Sequence, residues 1–121
     1  MLIEVVALLL VSQQPMQPFK EGMASYYTVE SSSRQTASGE NLANNEYTCA
    51  MLDGEFGEYF LVVADNGNSV ICRLNDRGPY VEGRVIDLSR AAIRKLHPSK
   101  GLLHVKVYRL GKTPPSASSP R

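Results

Sequence analysis

The sequence predicts an all-β domain, a small closed barrel carrying one short α-helix. Three observations carry this reading: apolar, β-branched runs dominate, an Asn-Gly pair separates two of them, and one stretch alone has a clear helical period. Tyr59-Phe60-Leu61-Val62-Val63-Ala64 and Ser69-Val70-Ile71-Cys72-Arg73-Leu74 are rich in residues that fill a pleated surface. Between them Asp65-Asn66-Gly67-Asn68 supplies the positive φ angles of a hairpin turn. Leu103 to Arg109 alternates apolar and polar residues, as a half-buried strand does, and Val85 to Leu88 forms a further strand. The helix starts at Ser89, whose hydroxyl can cap the first turn, and runs to Leu96 before Pro98. Ala92, Ile93 and Leu96 share its inner face, and Arg90, Arg94 and Lys95 face water. Several short strands with one helix favour closure, because a closed barrel leaves no sheet edge exposed.

Composition narrows the partners. A chain of 121 residues is the size of one domain. Its 13 basic and 12 acidic residues leave a charge of +1 and no basic stripe, which argues against nucleic acid. Met1 to Val11 is apolar apart from Glu4 and is too short to span a bilayer as a helix. Residues 1–21 are therefore read either as an export signal, true or degraded, or as an N-terminal arm. Residues 111–121, with Pro114, Pro115, Pro120 and several serines, are too poor in apolar groups to pack and are read as a disordered tail. Cys49 and Cys72 each fall in a strand, so they are either a disulfide in an oxidising compartment or two small buried thiols. No histidine lies at zinc-site spacing from either cysteine, and no metal or other cofactor is expected.

The densest chemistry lies in Arg73-Leu74-Asn75-Asp76-Arg77-Gly78-Pro79-Tyr80 and in Gly83 to Ala92, which includes Asp87-Leu88-Ser89. Upstream come Gly22-Met23-Ala24-Ser25-Tyr26-Tyr27, Thr36-Ala37-Ser38-Gly39-Glu40 and Tyr47-Thr48-Cys49-Ala50. In this order and spacing, over residues 22–110, the chain resembles the rare lipoprotein A family. The resemblance implies a six-stranded double-psi β-barrel, expansin-like in kind, acting as a monomeric lytic transglycosylase on peptidoglycan glycan strands. It also implies a secreted, periplasmic or wall-associated location. A non-catalytic glycan-binding or wall-loosening module is the alternative. The lipid anchor suggested by the family name is not expected, since no cysteine stands near the start.

Breaking a glycosidic bond takes an acid for the leaving oxygen and a negative group facing the oxocarbenium-like transition state. In a lytic transglycosylase the sugar's own 6-hydroxyl closes onto the anomeric carbon, so one group can serve as acid and then as base. The resemblance implies that role for Asp76, an assisting role for Glu40, and a groove-lining role for Asp87. Each also has an ordinary structural use: Asp76 in an Asx-turn, Glu40 in a polar loop, Asp87 ahead of a helix start. Tyr26, Tyr27 and Tyr80 offer rings to sugar faces, although one of the first two must point into the barrel. Arg77 offers a fork to a lactyl carboxylate or a counter-charge to Asp76. Where the family's Thr-Ala-Ala-His block ends in histidine this chain has Met51, whose thioether carries no proton. Asp76, Glu40 and Asp87 are expected to converge on one open groove.

Overall fold

The computed structural model describes residues 17–28 and 35–114; most of the expected N-terminal arm and of the expected tail lies outside them. The elements are β1 (Lys20–Tyr26), β2 (Thr48–Ala50), β3 (Tyr59–Ala64), β4 (Ser69–Asp76), β5 (Arg84–Leu88), α1 (Arg90–Leu96) and β6 (Leu103–Gly111). The six strands close into a barrel in the order β1-β5-β2-β4-β3-β6. β1 with β5 and β2 with β4 are parallel, and the other neighbours are antiparallel. β1 takes in Lys20 and Glu21, ahead of the expected boundary at Gly22, because both pair with β6 opposite Val107 and Lys106.

Strand alternation puts every second side chain inside. Phe60, Val62 and Ala64 of β3, Val70, Cys72 and Leu74 of β4, and Val105 and Val107 of β6 are buried. The helix closes over this core with Ala92, Ile93 and Leu96, all fully enclosed. Each large aliphatic side chain so buried contributes roughly 1.5–3 kcal/mol before conformational entropy is counted. The cap is as expected: Ser89 Oγ accepts from Ala92 N at 3.3 Å. The same hydroxyl donates to Glu46 O at 2.5 Å and accepts from Thr48 N at 3.3 Å, tying the helix start to β2.

The β3–β4 hairpin differs from the expected turn in one respect. Gly67 alone takes a positive φ, 92°. Gly67 N donates to Ala64 O and Ala64 N to Asn68 O, each at 2.9 Å, the pattern of a type I turn followed by one left-handed residue. Asn66 is thereby released for another task, and with Asn68 it donates to Leu96 O at 2.9 and 3.0 Å, capping the end of α1. Among the described residues no helix is long and apolar enough to cross a membrane.

Candidate active site

The site is organised around β2, three residues long and buried throughout. Its last residue, Ala50, lies opposite Asp76 of β4 on one side and opposite Asp87 of β5 on the other. Neighbouring strands run about 4.8 Å apart, so the two aspartate backbones stand about 10 Å from each other. The β2–β4 register shifts between Cys49 and Ala50, an irregularity of the kind that re-aims side chains at barrel rims.

Asp76 is half-buried, and its Oδ1 accepts from Ala37 N at 2.9 Å and Arg77 N at 2.8 Å. Its Oδ2 has no partner among the described residues. Asp87, also half-buried, accepts from Ser25 Oγ through Oδ1. Glu40 reaches the same end of the barrel from a loop closed by Thr36 N donating to Glu40 O at 2.8 Å. Arg73 grips its carboxylate as a fork, Nη1 to Oε2 at 2.5 Å and Nη2 to Oε1 at 3.0 Å, and Asn75 Nδ2 adds a bond at 3.2 Å. Those bonds, Arg73's first, hold the Glu40 carboxyl below its ordinary 4.5 and raise the arginine in turn. Glu40 is thus an anchored anion at neutral pH and has no proton to give; its loop presents the Ala37 amide to Asp76. Asn75 Oδ1 is buried without a partner among the described residues.

The remaining expected site residues separate. Tyr27 is buried, its hydroxyl 2.7 Å from Thr48 Oγ1, and burial pushes the phenol well above its usual range. It cannot meet a ligand. Tyr26 is exposed, with the Arg94 guanidinium 5.5 Å from its ring centre. Tyr80 is 79% exposed beside the Asp76 turn. The Arg77 guanidinium turns from Asp76 to donate to Met51 O at 3.2 Å and Gly54 O at 2.8 Å, and lies 4.3 Å over the Phe56 ring. It clamps the loop after β2 and offers no fork to a ligand. Met51 is fully buried, its amide donating to Asp76 O at 3.2 Å. Cys49 and Cys72 are buried thiols with sulfurs 2.8 Å apart. Burial, then the Cys72 thiol, pushes Cys49 up.

The carboxylates are linked through Ala50, Ala37 and Arg73, but a groove on the barrel wall lies beside them. It encloses about 540 Å³ on the outer wall of β3 and β4 and touches the cluster only at Arg73. Arg73, Ser25 and the Ala37 amide were not singled out from sequence. Arg73 does carry a signal there, since it falls on the outward face of β4 in step with Ser69 and Ile71.

Residues 20–107 match the model of a protein family described as lytic transglycolase. The chain belongs to the lytic transglycolase family. Within that family it is 44% identical over 90 residues to the endolytic peptidoglycan transglycosylase RlpA of Pasteurella multocida, covering 73% of this chain and 31% of that protein. Against the probable endolytic peptidoglycan transglycosylase RlpA of Treponema pallidum the identity is 44% over 91 residues, covering 74% and 29%. The chain thus spans about a third of the length of these relatives. Among solved structures, this lytic transglycolase family member superposes on Streptomyces papain inhibitor with a TM-score of 0.62 at 20% identity, covering 79% of this chain and 99% of that one. An apo expansin of Clavibacter michiganensis gives 0.60 at 18% identity, covering 78% and 51%. These likenesses show the fold, the double-psi β-barrel.

Proposed function

We propose that the chain is a lytic transglycosylase barrel that cleaves peptidoglycan glycan strands outside the cytoplasm, with Asp76 as acid and base. The observation that carries this is the half-held carboxylate: two amides fix Asp76 Oδ1 and leave Oδ2 clear at the rim. The names of the matched relatives support the same reaction class. Asp76 gives its proton to the glycosidic oxygen as the bond to the anomeric carbon breaks. It then takes the proton of the same sugar's 6-hydroxyl as that oxygen bonds to the anomeric carbon. The product ends in a 1,6-anhydro ring, the acid is regenerated, and no water is consumed. Asp87, across Ala50, faces the developing positive charge, and Ser25 orients it. Glu40 assists by holding the loop that aims Asp76, and Tyr80 offers a ring to a sugar face.

The test is Asp76→Asn with isolated cell walls, followed by mass analysis of soluble products. The amide keeps Oδ1 as acceptor for both backbone bonds, so folding and glycan binding survive. Release of anhydro products should fall by about 10²–10⁴-fold, and full activity would overturn the assignment. A second reading, glycan binding without turnover, is favoured by Met51, a buried thioether that carries no proton. Under it the unmodified chain retains glycan and releases nothing.

A further inference from the structure

We infer that Asn75 is a positioning residue for Asp76, fixing the 36–40 loop so that the Ala37 amide meets the Asp76 carboxylate. The chemistry it serves, proton transfer by Asp76, rests on the function proposed above. The loop is closed on itself: Thr36 N donates to Glu40 O at 2.8 Å, Gly39 N to Thr36 O at 3.0 Å and Thr36 Oγ1 to Glu40 O at 3.0 Å. Whatever seats Ser38 and Glu40 therefore seats Ala37. Asn75 touches both, its backbone oxygen accepting from Ser38 N at 3.1 Å and its Nδ2 donating to Glu40 Oε1 at 3.2 Å. The Ala37 amide then stands 2.9 Å from Asp76 Oδ1. Arg73 grips the same Glu40, but through a long side chain whose partly exposed charge is screened. Asn75 is shorter and 2% exposed, so it holds the loop in the tighter register. That hold weakens the fold. With Nδ2 turned to Glu40, the planar amide points Oδ1 the other way, where it is buried without a partner among the described residues. An unpaired buried acceptor is destabilising, and a leucine of similar outline would avoid it. Asparagine at this position thus gives up stability for aim, as residues retained for a site do.

The test compares the whole chain with Asn75→Leu and with Asn75→Asp, which keeps the outline but sets a carboxylate against Glu40. Melting temperature is read first, then kcat and KM for release of anhydro products from peptide-free glycan strands. The Ala37 and Arg77 amide shifts are followed by NMR against pH. In the unmodified chain both amides should respond to ionisation of the carboxylate they donate to, and Asp76→Asn identifies that response by abolishing it. In Asn75→Leu the Ala37 response should shrink while that of Arg77 stays, and kcat should fall about tenfold with KM within about twofold. The melting temperature should hold or rise, because Glu40 keeps the Arg73 fork and the orphaned acceptor is gone. Asn75→Asp should lose the Ala37 response and kcat together with some melting temperature. A fall in the melting temperature of Asn75→Leu large enough to account for its lost release would make the residue structural and overturn the inference. So would an unchanged Ala37 titration in both variants. An unmodified chain that releases no product would sink the cleavage reading and leave the Ala37 titration to decide the aim; undiminished release by Asn75→Leu would sink the inference alone.

Discussion

The fork between Arg73 and Glu40 is the most measurable joint in the site. Glu40→Gln, Arg73→Met and the double variant form a cycle that isolates its coupling energy. Two unit charges at this range are worth about 1 kcal/mol in water and about 4 kcal/mol under the effective dielectric of a protein surface. The side chains are 27% and 42% exposed, so solvent screening and ordering entropy pull the value toward the lower figure. The fork geometry keeps it from vanishing. A coupling of about 1 kcal/mol is expected by urea denaturation at neutral pH, equivalent to about 4–8 °C in melting temperature for a domain of this size. The pH dependence has a definite sign. Arg73 depresses the folded-state carboxyl of Glu40 below 4.5, so the contribution is complete above the unfolded value. It fades as the pH falls through the folded one. Repeating the cycle near about pH 3 should therefore give a smaller coupling, and added salt should reduce it at neutral pH. A coupling below about 0.3 kcal/mol at neutral pH, or one indifferent to acid, would mean that the fork is absent in solution.

Two further outcomes follow from the interior. Under oxidising conditions Cys49 and Cys72, 23 residues apart in sequence with sulfurs in contact, should lose two hydrogens by mass and add about 3 kcal/mol of stability, reversed by reductant; two titratable thiols after oxidant treatment would exclude the bond. Met51→His places ring nitrogens in a closed apolar position and should cost about 1–3 kcal/mol in denaturation, while raised product release from the same variant would show that the missing imidazole at position 51 limits turnover.

Strands, hairpin and helix were legible because each has a local cause: alternation in β3, β4 and β6, a left-handed glycine at 67, and a hydroxyl at Ser89 with three apolar residues in register behind it. Neighbour relations were not. Alternation tells which face a residue takes and nothing about the strand beside it, so the strand around Cys49 could be read but its place between Asp76 and Asp87 could not. The site was legible as residue types and less so as directions. Arg77 looks like a ligand fork in sequence, yet two free carbonyls and the Phe56 ring compete for it and win. Glu40 reads as a proton carrier until Arg73, 33 residues away, fixes it as an anion. Tyr26 and Tyr27 were known to diverge, and only packing decides that Tyr27 goes in.

The ladder order carries a consequence for how the chain is made. Among the described strands β1 bonds only to β5 and β6, so it is made before either of its partners and waits for both to be synthesised. Wall closure is then a late, all-or-none event, and pairing across such sequence distances is slow. A chain stopped before Leu103 would leave β1 and β3 each with an open ladder of amides and carbonyls where β6 belongs. Those two edges are templates for other chains, and such a fragment should aggregate.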